Sequence, residues 1–209
     1  MKKTIYFFLT AVVASSVLGA LFQNPLVYAA GVAVAVALWG GLSTIYFEKT
    51  LKAIPWMLLA VALPFLYSFG WTREFPGAAP LVITFVAAFF EEIGWRGFLF
   101  KELEKFGWLK MNLIIGLMWA VWHLPAILTN NYPIASPFGV GLLFFFVNVI
   151  LLSFLFGWFR QKTGGLWAPV LLHTFHNLIY GSNEGNWKFS LILIVILLIF
   201  QIWKKPITV

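Results

Sequence analysis

The stretch FFEEIGWRGFLF, Phe89–Phe100, sets two glutamates and an arginine inside a run otherwise apolar enough to lie in lipid. Ionisable side chains within a bilayer are costly, and they normally face a bundle interior or a water-filled cavity. The surrounding sequence says which solvent this segment is built for.

Of the 209 residues, 62% are hydrophobic and only 10% charged, with a mean hydropathy of +0.92. A soluble domain of this size needs far more charge to cover its surface. Apolar stretches of about 20 residues recur along the whole chain, the pattern of a polytopic helical membrane protein. The alternating strands of an outer-membrane barrel are absent. No polar connection exceeds roughly a dozen residues, so residues 1–209 are expected to form a single membrane domain. Without cysteine the chain forms neither disulfides nor thiolate metal sites.

The expected fold class is all-α: a polytopic membrane helical bundle of about eight transmembrane helices. The segments are Thr4–Phe22, Pro25–Phe47, Ile54–Trp71, Pro80–Phe100, Met111–Thr129, Phe138–Phe159, Leu166–Tyr180 and Trp187–Trp203. Breaks between them carry Asn-Pro, Gly, Ser or charged residues, as helix ends should. With this count, Lys2, Lys3, Lys49, Lys52, Lys101, Lys105, Lys110, Arg160, Lys162, Lys204 and Lys205 fall on one side. Only Arg73 and Lys188 fall on the other, and Arg96 lies within a span. That bias predicts both termini cytoplasmic. The net charge of +7 therefore reads as topology signals. No contiguous basic face exists, so no nucleic-acid partner is expected. A multi-pass integral protein of the cell membrane follows, with the lipid bilayer as its surroundings. The first segment also resembles a signal peptide, but Leu18 is a poor residue three positions before a cut after Ala20, and a retained first helix is expected.

Three spans carry polar residues at a common depth. Glu91, Glu92 and Arg96 lie on the fourth, His123 on the fifth, and His173, His176 and Asn177 on the seventh. At a rise of ~1.5 Å per residue, Glu91, His123 and His173 fall roughly 10–18 Å from their helices' cytoplasmic ends. That is near the middle of a ~30 Å hydrocarbon layer. Glu92 and Arg96 are i,i+4 neighbours and can pair on one face. Glu91 points about 100° away. The two carboxylates are thus expected to divide into a structural ion pair, Glu92–Arg96, and a separate carboxylate, Glu91, suited to act as general base. His173 and Asn177 also share a face, as a donor pair for a developing oxyanion would. His176 is expected to look partly elsewhere. Pro125, two residues after His123, takes the helical partner from the Val121 carbonyl and should loosen the helix there.

Each feature alone has a plainer reading. Glu92–Arg96 could be a buried clamp between helices, and a single His123 a hydrogen-bonded core histidine. Asn148 reads as interhelical glue. Together, Glu91, His123, His173 and Asn177 at one depth point to a site.

The motifs EEIGWRG (Glu91–Gly97), WAVWHLP (Trp119–Pro125) and HTFHN (His173–Asn177) resemble those of the CAAX-protease and bacteriocin-processing family. These intramembrane peptidases are related to type II CAAX prenyl endopeptidase. The pattern is Glu-Glu-x-x-x-Arg, then an aromatic (commonly Phe) four residues before a His, then His-x-x-x-Asn or Asp. The resemblance spans Phe89 to Leu178. It implies an intramembrane endopeptidase acting on membrane-associated, prenylated (CAAX-type) protein or peptide substrates. It also implies that Glu91 and His123 position and activate water, that His173 and Asn177 stabilise the oxyanion, and that Glu92 with Arg96 supports the site. Trp119 departs from the commoner Phe; altered packing is expected there. His176 is not a motif position.

Cofactor use stays open at this point. Glu91, His123 and His173 could supply three zinc ligands with water as the fourth; no His-Glu-x-x-His is present, and metal-free catalysis with Glu91 as base is favoured. Two other classes compete with the peptidase. One is a non-catalytic bacteriocin-immunity or scaffold protein using the same cavity. The other is a small transporter with a Glu/His proton relay, against which the lack of an internal repeat counts.

Overall fold

The computed structural model describes residues 2–39, 41–48, 51–68, 77–129, 132, 139–179 and 186–201, and among them there are helices and no strands. In chain order the helices are α1 (Lys2–Phe22), α2 (Pro25–Leu38), α3 (Ile54–Tyr67) and α4 (Ala78–Glu92). A π-helical segment, Ile93–Leu99, carries α4 without a break into α5 (Phe100–Leu103). Then come α6 (Trp108–Leu128), α7 (Val140–Thr163), α8 (Trp167–Ile179) and α9 (Trp187–Gln201).

The molecule is a helical membrane bundle. Each expected segment has its helix, but the lengths differ. Lys2–Phe22, Ala78–Phe106, Trp108–Leu128 and Val140–Thr163 are long and apolar enough to cross a bilayer. Helices α2, α3, α8 and α9 have 14, 14, 13 and 15 residues. At about 1.5 Å per residue, 14 residues reach ~21 Å. The second expected segment, Pro25–Phe47, shows why. Its helix ends at Leu38, the Gly41 N–H reaches back to the Val36 carbonyl (2.8 Å), and Ile45–Glu48 runs on as non-helical chain. Trp71, Phe138, Tyr180 and Trp203, which bound four expected segments, and Lys49, Arg73, Lys204 and Lys205 lie outside the described residues.

Local signals set the helix ends. The Asn24 side chain accepts the Leu26 N–H (2.9 Å), with Pro25 at the first helical position, where its missing N–H costs nothing. Helix α7 closes on Gly164, left-handed at φ 74°, whose N–H bonds the Arg160 carbonyl (3.1 Å).

Packing builds the bundle in adjoining pairs: α1 with α2, α2 with α4, α4 with α8, α8 with α3, and α7 with α6 and α9. A single apolar cluster, from Phe7 and Val32 through Trp95, Trp119 and Phe156 to Phe189, runs through it. Some polar side chains inside are satisfied across helices. Asn148 donates to the Asn186 carbonyl (3.1 Å) and accepts the Ser190 hydroxyl (2.7 Å), joining α7 to α9 as interhelical glue. Helix α6 continues through Pro125, and next to Val121 the Trp122 carbonyl accepts the Tyr28 hydroxyl of α2. Near α5, Lys3 of α1 meets Glu102 (3.6 Å) and Arg160 of α7 lies over the Phe100 ring (5.6 Å).

Candidate active site

Glu91 and Glu92 end α4, where the winding changes from α to π. A π turn, bonded i to i+5, is wider than an α turn, and such turns are frequent at functional sites. Every residue from Ile93 to Leu99 is buried. Within this segment the Arg96 Nη1 bonds Glu92 Oε1 at 3.1 Å, so the expected pair is formed. The guanidinium also lies over the rings of Trp119 (4.5 Å) and Phe156 (4.7 Å), a favourable place for a desolvated cation. The Arg96 carbonyl accepts Nε of Arg160 (3.1 Å), tying the π segment to α7.

Helix α6 supplies Trp119 and, one turn on, His123, both buried. His123 Nδ1 lies 2.8 Å from the Trp119 carbonyl. A carbonyl only accepts, so Nδ1 carries a proton and Nε2 is the acceptor nitrogen of the neutral ring. The Trp119 indole N–H donates to Glu91 Oε2 (2.9 Å). One residue thus holds the carboxylate with its side chain and the imidazole with its backbone. Rings of Trp122 (4.8 Å), Tyr132 (4.8 Å) and Phe145 (5.4 Å) enclose His123.

Helix α8 supplies His173, whose Nδ1 donates to Glu92 Oε1 at 2.8 Å. The sequence reading paired Glu92 with Arg96 alone; here the same carboxylate also holds His173. Glu92 serves Arg96 and His173 together, because one carboxylate oxygen has two lone pairs and can accept from both. Glu91 is bound to Trp119 instead. The His173 ring packs against Trp119 (5.3 Å) and Phe156 (5.4 Å). Asn177 follows one turn later on α8 and is half-buried. His176 faces α3 and α9, with Nδ1 2.7 Å from the Tyr67 hydroxyl and its ring stacked on Phe189 (5.6 Å).

Helices α4, α6 and α8 and the π segment therefore bring Glu91, Glu92, Arg96, His123 and His173 together around Trp119. Sequence reasoning treated Trp119 as packing. A signal was available: a buried indole N–H needs an acceptor, and apolar spans hold few.

Zinc held by Glu91, His123 and His173 is the alternative to metal-free catalysis. Among the described residues no three His, Asp or Glu side chains converge as a metal site would. Both histidines bond through Nδ1 and Glu91 through Oε2, so a metal would have to be met by the Nε2 atoms and Glu91 Oε1.

Comparison with known proteins agrees with the motifs. Residues 73–179 match the family model described as type II CAAX prenyl endopeptidase Rce1-like. CAAX prenyl protease 2 of Methanococcus maripaludis is 29% identical over 124 residues, covering 57% of this chain and 45% of that protein. The chain thus matches slightly less than half the length of that curated relative.

Proposed function

The chain belongs to the type II CAAX prenyl endopeptidase Rce1-like family, and from that premise we propose that it is an intramembrane endopeptidase. Its substrate class is a membrane-associated protein or peptide ending in a prenylated CAAX-type sequence, a reading supported by the relative's name, CAAX prenyl protease 2. The host membrane in this reading is the cell membrane. The reaction is hydrolysis by a water that Glu91 and His123 activate, without a metal.

The observation that carries the reading is the bonding of Glu91 Oε2 and His123 Nδ1 to the same residue, Trp119, in the buried centre of a membrane bundle. A carboxylate and an imidazole held this way can share one water, Glu91 taking its proton and the acceptor nitrogen of His123 orienting it. The water oxygen attacks the peptide carbonyl carbon, and negative charge develops on the carbonyl oxygen. His173 and Asn177 donate to that oxygen. For His173 this requires a proton on Nε2 as well as Nδ1, and Glu92 at 2.8 Å supplies the counter-charge. The tetrahedral intermediate then expels the amine, which receives the proton carried by Glu91. Glu92 Oε2 and Arg96 Nε and Nη2, buried without a protein partner among the described residues, give the site polar capacity for water or a peptide backbone.

The test is the purified full chain in lipid nanodiscs, supplied with a farnesylated peptide of CAAX sequence, with the released tripeptide measured by mass spectrometry. Wild type is expected to release it, and Glu91→Ala and His173→Ala to be inactive while still folded. Full release by Glu91→Ala would end the general-base assignment.

A further inference from the structure

We propose that Glu48, outside the three motifs, is a positioning residue for this site, because it caps the helix that carries His173 and Asn177. The proposal rests on the peptidase reading for its catalytic consequence. Its structural half stands on hydrogen bonds alone.

Helix α8 begins where the chain has just turned out of α7, and the first amides of any helix have no partner within it. Every one of them is accounted for here. The Gly165 N–H reaches the Thr163 hydroxyl (3.5 Å), and the Leu166 N–H donates to the Tyr46 carbonyl (2.9 Å). The Trp167 N–H donates to Glu48 Oε2 (2.8 Å) and the Ala168 N–H to Glu48 Oε1 (3.0 Å). Pro169 has no N–H, and Val170 makes the first helical bond, to Leu166 (3.0 Å). The cap comes from a residue 119 positions earlier in the chain. Its charge is complementary to the positive end of the helix dipole.

The non-helical chain Ile45–Glu48 is shaped to deliver this carboxylate. The Phe47 ring stacks on Trp167 (4.5 Å) and faces Phe89 of α4 (6.2 Å), so the same strap touches both helices that meet at Glu92 and His173. The Thr163 hydroxyl donates to Glu48 Oε1 (2.9 Å). Gly165 leaves room for the strap, since a Cβ there would overlap the backbone nitrogen and carboxylate of Glu48. Leu166 and Ala168 are fully buried, which limits how far water could replace the cap. His173 lies six residues from Trp167, about 9 Å along a short helix. Loss of the cap frees the start of α8 and, with it, the His173–Glu92 bond.

The chain has three histidines, His123 on α6 and His173 and His176 on α8, so each serves as a local probe. The experiment compares wild type, Glu48→Ala and Glu48→Gln in nanodiscs, by peptide cleavage and by diethyl pyrocarbonate labelling of each histidine read by mass spectrometry. Glu48→Gln keeps one acceptor oxygen and serves if the alanine variant fails to fold. Glu48→Ala is expected to lower kcat at least tenfold with KM within twofold, and to raise labelling of His173 at least fivefold while His123 stays within twofold. Glu48→Gln should fall between. Equal acceleration at His123 and His173 would make Glu48 a general stability residue and overturn the proposal. So would His173 labelling, or kcat, unchanged from wild type in both variants. If wild type cleaves nothing, the peptidase reading and the catalytic half of this proposal fail, and the labelling alone still decides whether Glu48 holds α8.

Discussion

The indole N–H of Trp119 donates to Oε2 of Glu91 across 2.9 Å, from a helix whose next turn presents His123. In the proposed reaction this bond fixes which carboxylate oxygen faces the water. Trp119→Phe keeps an aromatic ring beside Arg96 and removes the donor together with part of the ring volume. A hydrogen bond to a charged group is worth about 1.5–3 kcal/mol. At ~1.4 kcal/mol per tenfold, kcat should fall roughly 10- to 100-fold. Steady-state cleavage of the prenylated peptide measures it, with KM expected to change little.

Glu92 Oε1 joins Arg96 (3.1 Å) and His173 (2.8 Å), and this sharing separates stability from activity. Glu92→Leu leaves Arg96 a buried cation without its anion. Breaking such a pair costs about 3–5 kcal/mol, so the thermal unfolding midpoint in detergent should drop sharply. Adding Arg96→Leu removes the stranded charge and should recover most of the loss. Activity should not return, because His173 still lacks its acceptor.

Much of this arrangement was legible in the sequence, for physical reasons that particular residues display. Apolar length gave the four long spans, since a lipid solvent tolerates little else. The i,i+4 spacing gave the Glu92–Arg96 pair, because that interaction stays within one helical run. What escaped depends on partners distant in the chain. The acceptor for Trp119 lies 28 residues away, and the partner of His173 lies 81 away. Apolar residues from Ile45 to Phe47 read as more helix, yet they form a strap whose carboxylate reaches a helix end 119 positions on. The π winding of Ile93–Leu99 carries Gly94 and Gly97, and its bond to α7, from Arg160 to the Arg96 carbonyl, comes from 64 positions on.

His176 tests whether nearness to the motif implies chemistry. Its Nδ1 meets the Tyr67 hydroxyl at 2.7 Å, and its ring stacks on Phe189, away from Glu91 and His123. Tyr67→Phe removes one buried hydrogen bond, worth about 1 kcal/mol. The unfolding midpoint should fall by a few degrees while cleavage stays within threefold. A hundredfold loss of cleavage at unchanged midpoint would move His176 into the catalytic group.

Metal dependence gives the sharpest contrast between two chemistries for the same residues. A zinc site needs three side chains converging on one point, with water in the fourth position. Here Glu91 bonds Trp119 through Oε2, and His173 and His123 bond Glu92 and a backbone carbonyl through Nδ1, so a metal would have to be met by Glu91 Oε1 and the two Nε2 atoms. The general-base reading expects protein treated with a strong chelator, then exchanged into metal-free buffer, to keep more than half its cleavage rate. Elemental analysis of that active protein should find far less than one zinc per chain. Stoichiometric zinc whose removal abolishes cleavage and whose return restores it would sink the metal-free mechanism. Glu91→Gln then distinguishes the roles. As a general base, Glu91 loses proton abstraction in this variant, and cleavage should be lost at any zinc concentration. As a ligand, the position keeps one oxygen donor in the substituted amide, and added zinc should recover part of the rate.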